Sequence, residues 1–368
     1  MYIKDGKIQP DGIHPEYIPT SIEASRWDDR TDLKWVHPDM KLFYDFRGEN
    51  SIITSQIIDP GATREERVEK RDGHLAAFEA FVDPEVAGKI NMETYTIPGL
   101  YEDDPEVEVF VLKPKDTKKK KHNVLFAFGM GVIAENSKPL CIATFGSYCL
   151  DLDIAVVYAN TRTGTDVCFP KPLDEYQAAY QWVLDNGKEL GLNTKNIVLC
   201  GQSGGGYTCL CFAFRCKRVG FNPKGALAID PVMGDDFTYP SSRIITGYWD
   251  ALDVQRTFKV VLPLGDQNSP FVSPEMVPSR ATVEDCKGLC PIYIHTNELE
   301  SCRDAAAAFA HKCLDARGFA EYHVWGGAPH SGTDHGNARI HKTFKILKNS
   351  QLQDMFEYDL RRPWVMEE

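Results

Sequence analysis

The sequence has no apolar run approaching the roughly 20 residues that a bilayer span needs. Its first residues, Met1-Tyr2-Ile3-Lys4-Asp5, carry an acid early and lack the apolar stretch of a secretory signal. Neither a membrane nor a secretory route is expected, and a cytoplasmic location is. Basic residues are outnumbered, 41 Lys and Arg against 53 Asp and Glu, for a formal charge of −12. That field repels phosphate backbones, so nucleic acid is not an expected partner. Cysteine is absent before Cys141, its total of 11 is odd, and no CxxC pair occurs. These absences argue against a disulfide framework and a thiolate zinc site. No metal and no cofactor are expected, and the cysteines read as small buried hydrophobes in a reducing compartment.

What is present is ordinary globular material: 43% apolar and 26% charged residues in a chain of 368. That length suits one large α/β domain with an accessory cap. Residues 1–85 are rich in charge and proline and hold Trp27, Trp35, Phe43, Tyr44 and Phe46. They read as an N-terminal cap segment, with a helical pattern from Glu65 to Phe81. A core over 86–368 follows. It opens with an antiparallel pair, Ile90 to Ile97 and Val107 to Leu112. The run Lys118-Lys119-Lys120-Lys121 reads as a solvated hairpin tip.

Short apolar runs come next: Val124–Phe128, Ile154–Ala159, Ile197–Cys200, Ala226–Ile229, Pro291–Ile294 and Tyr322–Trp325. Helical patterns lie between several of them. Tyr176, Ala179, Tyr180, Val183 and Leu184 share one helix face, as do Ala306, Phe309, Ala310, Cys313 and Leu314, with Gly318 as the stop. Alternating strands and helices imply a mostly parallel central sheet flanked by helices. Six prolines between Pro231 and Pro278 break the alternation, which predicts a cap insertion at about 232–285.

The chemistry concentrates in Gly201-Gln202-Ser203-Gly204-Gly205, between a strand and a helical run from Tyr207 to Arg218. A serine at such a turn projects its hydroxyl above the sheet, and crowding demands small residues two before and two after it. No Lys-Ser/Thr follows, as a phosphate loop would need. Ser203 is therefore the candidate nucleophile, and its weak hydroxyl needs a base. His330 follows the last strand in a Gly/Pro-rich turn and is favoured over His323, inside that strand, and His335, at the next helix. The base needs a carboxylate partner. Glu298, Glu300 and Asp304 follow the strand Pro291–Ile294, with Asp230 a further candidate; Glu300 is favoured. Amide donors for a developing oxyanion are expected at Gly204 and in the loop Phe128-Gly129-Met130-Gly131.

Together these motifs resemble the hormone-sensitive-lipase-like branch of the α/β-hydrolase superfamily, over residues from about 107 to 345. The elbow Gly201–Gly205 matches, as does the stretch from Phe169-Pro170 to Trp182 before it. Glu298-Leu299-Glu300-Ser301-Cys302-Arg303-Asp304 looks like the family's acid turn, and His330 stands at its base. The resemblance implies an α/β-hydrolase fold with a helical cap, a Ser203, His330 and Glu300 triad, and an oxyanion hole from the N–H groups of Met130, Gly131 and Gly204. Two features depart from the family pattern. Phe128 replaces a histidine and Met130 a glycine in the oxyanion loop, and Glu300 stands where aspartate is common.

The expected activity is hydrolysis of small-molecule carboxylic esters of short to medium acyl chain through an acyl-enzyme. The same machinery serves an amidase, peptidase or acyltransferase, and a receptor on a degenerate hydrolase fold is the alternative from another class. Dimers are common in the family, so a homodimer is the assembly it allows, although no feature of this sequence specifies one.

Overall fold

The run Val124-Leu125-Phe126-Ala127-Phe128 has no polar face, so a strand made from it must be covered on both sides. All five residues are buried. The computed structural model describes residues 2–4, 7–9, 37–38, 63, 65–66, 69, 82–129, 137–162, 167–234, 239–244, 254, 257–258, 261–262, 272–334 and 339–361. Eight strands form the main sheet: β1 (Ile90–Ile97), β2 (Val107–Pro114), β3 (His122–Phe128), β4 (Ala155–Asn160), β5 (Leu192–Gln202), β6 (Gly225–Ile229), β7 (Ile292–Leu299) and β8 (Ala320–Pro329). Their spatial order is β8-β7-β6-β5-β3-β4-β2-β1. Only β2 runs against its neighbours β1 and β4; the other pairs are parallel. The expected opening pair is therefore present as β1 and β2.

The lysine run is not a hairpin tip. It links β2 to β3, which are not neighbours, because β4 lies between them. The four lysines are exposed, as expected, but the connection crosses the sheet end to bring β3 into the parallel set. A separate two-stranded ribbon pairs Tyr2–Lys4 with Lys7–Gln9. Most of the expected cap, including most of the helix from Glu65 to Phe81 and much of the 232–285 insertion, lies outside the described residues; 65–66 and 69 are helical.

Among the described residues, five longer helices cover the sheet: α1 (Lys138–Leu152), α2 (Lys171–Asn186), α3 (Gly204–Val219), α4 (Arg303–Asp315) and α5 (Arg339–Glu357). Side-chain alternation sends Val124, Phe126 and Phe128 to the face of α2, α3 and α4, where Tyr176, Phe212 and Phe309 pack. Leu125 and Ala127 face the other way, with Phe145 of α1 and Leu352 and Met355 of α5. The stop of α4 differs in detail from expectation. Arg317 takes the left-handed conformation, φ 59°, while the Gly318 N–H donates to the Cys313 carbonyl at 2.9 Å.

Most of the cysteines are buried, Cys168 being exposed. Burial pushes the thiols of Cys149, Cys290 and Cys302 up to about 12, which keeps them protonated and unreactive. No helix among the described residues is long and apolar enough to cross a membrane.

One buried group makes stability pH-dependent. His295 on β7 is fully buried, stacked against His323 and Trp325 of β8, with Nε2 at 2.6 Å from the Gln351 Oε1. The Trp325 indole N–H donates to its Nδ1 at 3.1 Å, so the neutral ring satisfies both contacts. Burial pushes its pKa down to about 4. The folded value lies below the unfolded one, so the stabilisation is present above about pH 6.5 and disappears as pH falls through 4. The loss is on the order of 3 kcal/mol. Denaturant unfolding between pH 7 and 4 should show this decline, and a His295→Gln variant should show a flatter one. An identical slope in the variant would assign the acid sensitivity to other groups.

Candidate active site

Parallel strands bring their C-terminal ends to one edge of the sheet, where open α/β folds bind ligands. The residues immediately after β3, β5, β6, β7 and β8 are Gly129, Ser203, Asp230, Glu300 and His330. Five positions spread over some 200 residues of chain thus meet along one rim.

Ser203 forms the strand-to-helix elbow with φ 56° and ψ −121°, a region that non-glycine residues occupy only under constraint. The constraint is visible: its N–H donates to the Ile229 carbonyl at 2.8 Å, and its carbonyl accepts from the Tyr207 N–H at 3.1 Å. The need for small flanking residues has a named cause. A Cβ on Gly201 would collide with the Gly205 carbonyl, and one on Gly205 with the carbonyls of Phe128 and Gly129.

The Ser203 Oγ lies 2.8 Å from the His330 Nε2. On the other side of the ring, the His330 Nδ1 is hydrogen-bonded to the Glu300 Oε2. Both His330 and Glu300 are buried, at 3% and 1% exposure, so water competes little for these bonds. With the proton on Nδ1, the imidazole donates to the carboxylate and presents a lone pair to the serine hydroxyl. The second Glu300 oxygen accepts from the Cys302 N–H at 3.4 Å.

The other candidate carboxylates have different partners. Glu298 accepts from the Gly327 N–H at 2.7 Å and so anchors the irregular last part of β8 before His330. Asp304 accepts from the Ser241 N–H and the Arg303 guanidinium, each at 2.8 Å, and those bonds and the Arg303 charge outweigh its burial and hold its carboxyl below the usual range. Asp230 accepts from the Ser331 N–H at 2.9 Å. His323 bonds to Glu321 at 2.7 Å within β8, and His335 lies outside the described residues.

Gly204 is the first residue of α3, where an N–H has no intrahelical acceptor, and it adjoins Ser203. Met130 and Gly131 lie outside the described residues. The start of their loop is described. Phe128 is fully buried against Tyr176 and Phe212, with ring centroids at 4.7 and 5.4 Å. The Gly129 N–H donates to the Tyr176 hydroxyl at 3.5 Å. An aromatic cluster thus holds the strand end where the family pattern has histidine. This contact escaped the sequence reading, because Tyr176 stood out only as one member of an apolar helix face. Among the described residues, no group of three or more His, Cys, Asp or Glu side chains is arranged to hold a metal ion.

Comparison with known proteins identifies the fold family. The family model for the alpha/beta hydrolase fold matches residues 126–333, more than half of the chain. Hormone-sensitive lipase of Ictidomys tridecemlineatus is 28% identical over 135 residues, 36% of this chain but only 18% of that lipase. The chain thus spans under a fifth of the length of that relative. Among solved structures, a bacterial heroin esterase superposes with a TM-score of 0.77 at 21% identity, covering 89% of this chain and 100% of that one. A thermostable esterase from Pseudomonas putida gives 0.73 at 19% identity, covering 88% and 98%. At these identities the structures speak for the fold. With the strand order, the elbow and the family match in agreement, the chain belongs to the α/β-hydrolase fold family, in the branch that resembles hormone-sensitive lipase.

Proposed function

We propose that the protein is a serine carboxylic ester hydrolase that cleaves esters of short to medium acyl chain through an acyl-enzyme. The observation that carries this reading is the buried chain from the Ser203 Oγ through His330 to Glu300 at the elbow. The names of the relatives, a lipase and two esterases, favour the same reaction class.

In this mechanism the Ser203 Oγ attacks the ester carbonyl carbon while its proton passes to the His330 Nε2. The carbonyl oxygen becomes an oxyanion that accepts from the Gly204 N–H and, by resemblance, from those of Met130 and Gly131. Collapse of the tetrahedral intermediate breaks the bond to the alcohol oxygen, which takes the proton from His330. Water then attacks the acyl-Ser203 ester with His330 again as base, releasing the carboxylic acid and restoring the serine. Glu300 stabilises the imidazolium in both halves.

The N-terminal segment and the insertion after Asp230 are the proposed roof of the site. Two contacts support that role: the His37 N–H donates to the Gly327 carbonyl at 2.8 Å, and the Phe169 N–H donates to the Val261 carbonyl at 2.7 Å. An odd cysteine count without a CxxC pair suits a reducing compartment, so the cytoplasm is the proposed location. The test is a fluorophosphonate probe together with chromogenic esters of increasing acyl length. Labelling should be stoichiometric, and kcat/KM should decline gradually toward acyl chains of about twelve carbons, since a pocket wall discriminates by only about 1–3 kcal/mol per methylene. Efficient cleavage of the longest esters would contradict the size preference, and absence of labelling would contradict the reaction.

A further inference from the structure

His330 can reach Ser203 and Glu300 together only if its backbone is held, yet it sits in a turn after the edge strand β8. Its following neighbour, Ser331, has φ 60°, a conformation that needs support in a residue other than glycine. That support comes from a different strand. Asp230, fully buried after β6, accepts the Ser331 N–H at 2.9 Å through its Oδ2. The same oxygen accepts the Asn297 Nδ2 at 2.7 Å, and that amide nitrogen also donates to the Pro329 carbonyl at 2.8 Å. The residues on both sides of His330 are thus fastened to one carboxylate–amide pair. The base of the pair is itself fixed, because the Asp230 N–H donates to the His295 carbonyl of β7 at 2.8 Å.

We propose that Asp230 and Asn297 are positioning residues for His330, clamping its backbone so that the imidazole lies in line between Ser203 and Glu300. The inference rests on the reading of His330 as the base of an ester hydrolase. Burying a carboxylate costs free energy unless its donors are in place. The gain is a base held within the few tenths of an ångström that proton transfer requires, where a shift of about 1 Å costs on the order of 10²-fold in rate. An ordinary turn could carry the same chain path with apolar packing alone; it could not fix both peptide groups flanking the ring.

The experiment compares Asp230→Ala, Asp230→Asn and Asn297→Ala with the unmodified protein. It uses p-nitrophenyl acetate, with kcat counted per fluorophosphonate-labelled site. Asp230→Ala should lower kcat about 10²-fold and change KM little, since the clamp acts on the base and not on substrate contacts. Asp230→Asn keeps an oxygen that accepts both N–H groups and should recover most of the rate. The downfield proton NMR signal of the His330 Nδ1–H bonded to Glu300 should broaden or shift in Asp230→Ala and persist in Asp230→Asn. If Asp230→Ala does not fold, Asn297→Ala carries the test, with a loss of about tenfold and the same split between kcat and KM expected. Wild-type kcat per labelled site with an unaltered imidazole signal would overturn the clamp, as would failure of Asp230→Asn to recover the rate. Failure of the underlying reading is separate: the unmodified protein would then neither hydrolyse the ester nor take up the probe.

Discussion

Alanine at position 203 should lower kcat for ester hydrolysis by a factor on the order of 10³–10⁶ and abolish fluorophosphonate labelling. The serine hydroxyl is the only polar group of that side chain, and its oxygen lies 2.8 Å from the His330 Nε2. Among the described residues, no backbone hydrogen bond depends on it. The elbow is held by the Ser203 N–H on the Ile229 carbonyl and the Tyr207 N–H on the Ser203 carbonyl, and both survive the substitution. Alanine bears the same left-handed strain as serine, so the melting temperature should change little. Loss of activity with an intact fold would then isolate the nucleophile. Retention of labelling would move the nucleophile elsewhere.

The second large effect is expected at Glu300. Glu300→Gln should reduce kcat by about 10⁴-fold, because the amide removes the negative charge facing the imidazolium and can hold the ring in the wrong tautomer. Its oxygen is bonded to the His330 Nδ1 in a site from which water is nearly excluded. Glu298→Gln and Asp304→Asn serve as internal comparisons. The first can still accept the Gly327 N–H through its amide oxygen, and the second acts at Ser241 and Arg303. Their losses should stay within roughly tenfold, the scale of positioning contacts remote from the reacting atoms. Equal and mild effects in all three variants would place the acid outside this turn.

The elbow was legible from residue order because its demands are local. Gly201 must lack a side chain wherever the rest of the chain goes, since the Gly205 carbonyl approaches it; Gly205 must lack one because the end of β3, with the carbonyls of Phe128 and Gly129, packs against the elbow. The strands were legible for a similar reason: runs such as Val124–Phe128 and Ala226–Ile229 have no polar face to leave in water. The lysine run misled because exposure alone does not distinguish a hairpin tip from a crossover; that depends on which strand lies between β2 and β3.

Composition, hydrophobic pattern and small residues at a sharp turn therefore determined the fold class, the elbow and the candidates Ser203 and His330, because each is a short-range requirement on neighbouring residues. Which of four carboxylates meets His330 was decided only by the tertiary structure. Glu298 ends up on β7, Glu300 just after it and Asp304 in α4, all within one short acidic stretch of chain, and a shift of the backbone by one residue redirects a side chain to a new partner. Asp230 joins them from β6, about seventy residues earlier in the chain, and its bonds to Ser331 and Asn297 have no counterpart in sequence spacing. Hydrogen bonds of this kind need a fixed distance and direction between groups from separate strands, and only the packed parallel sheet supplies both.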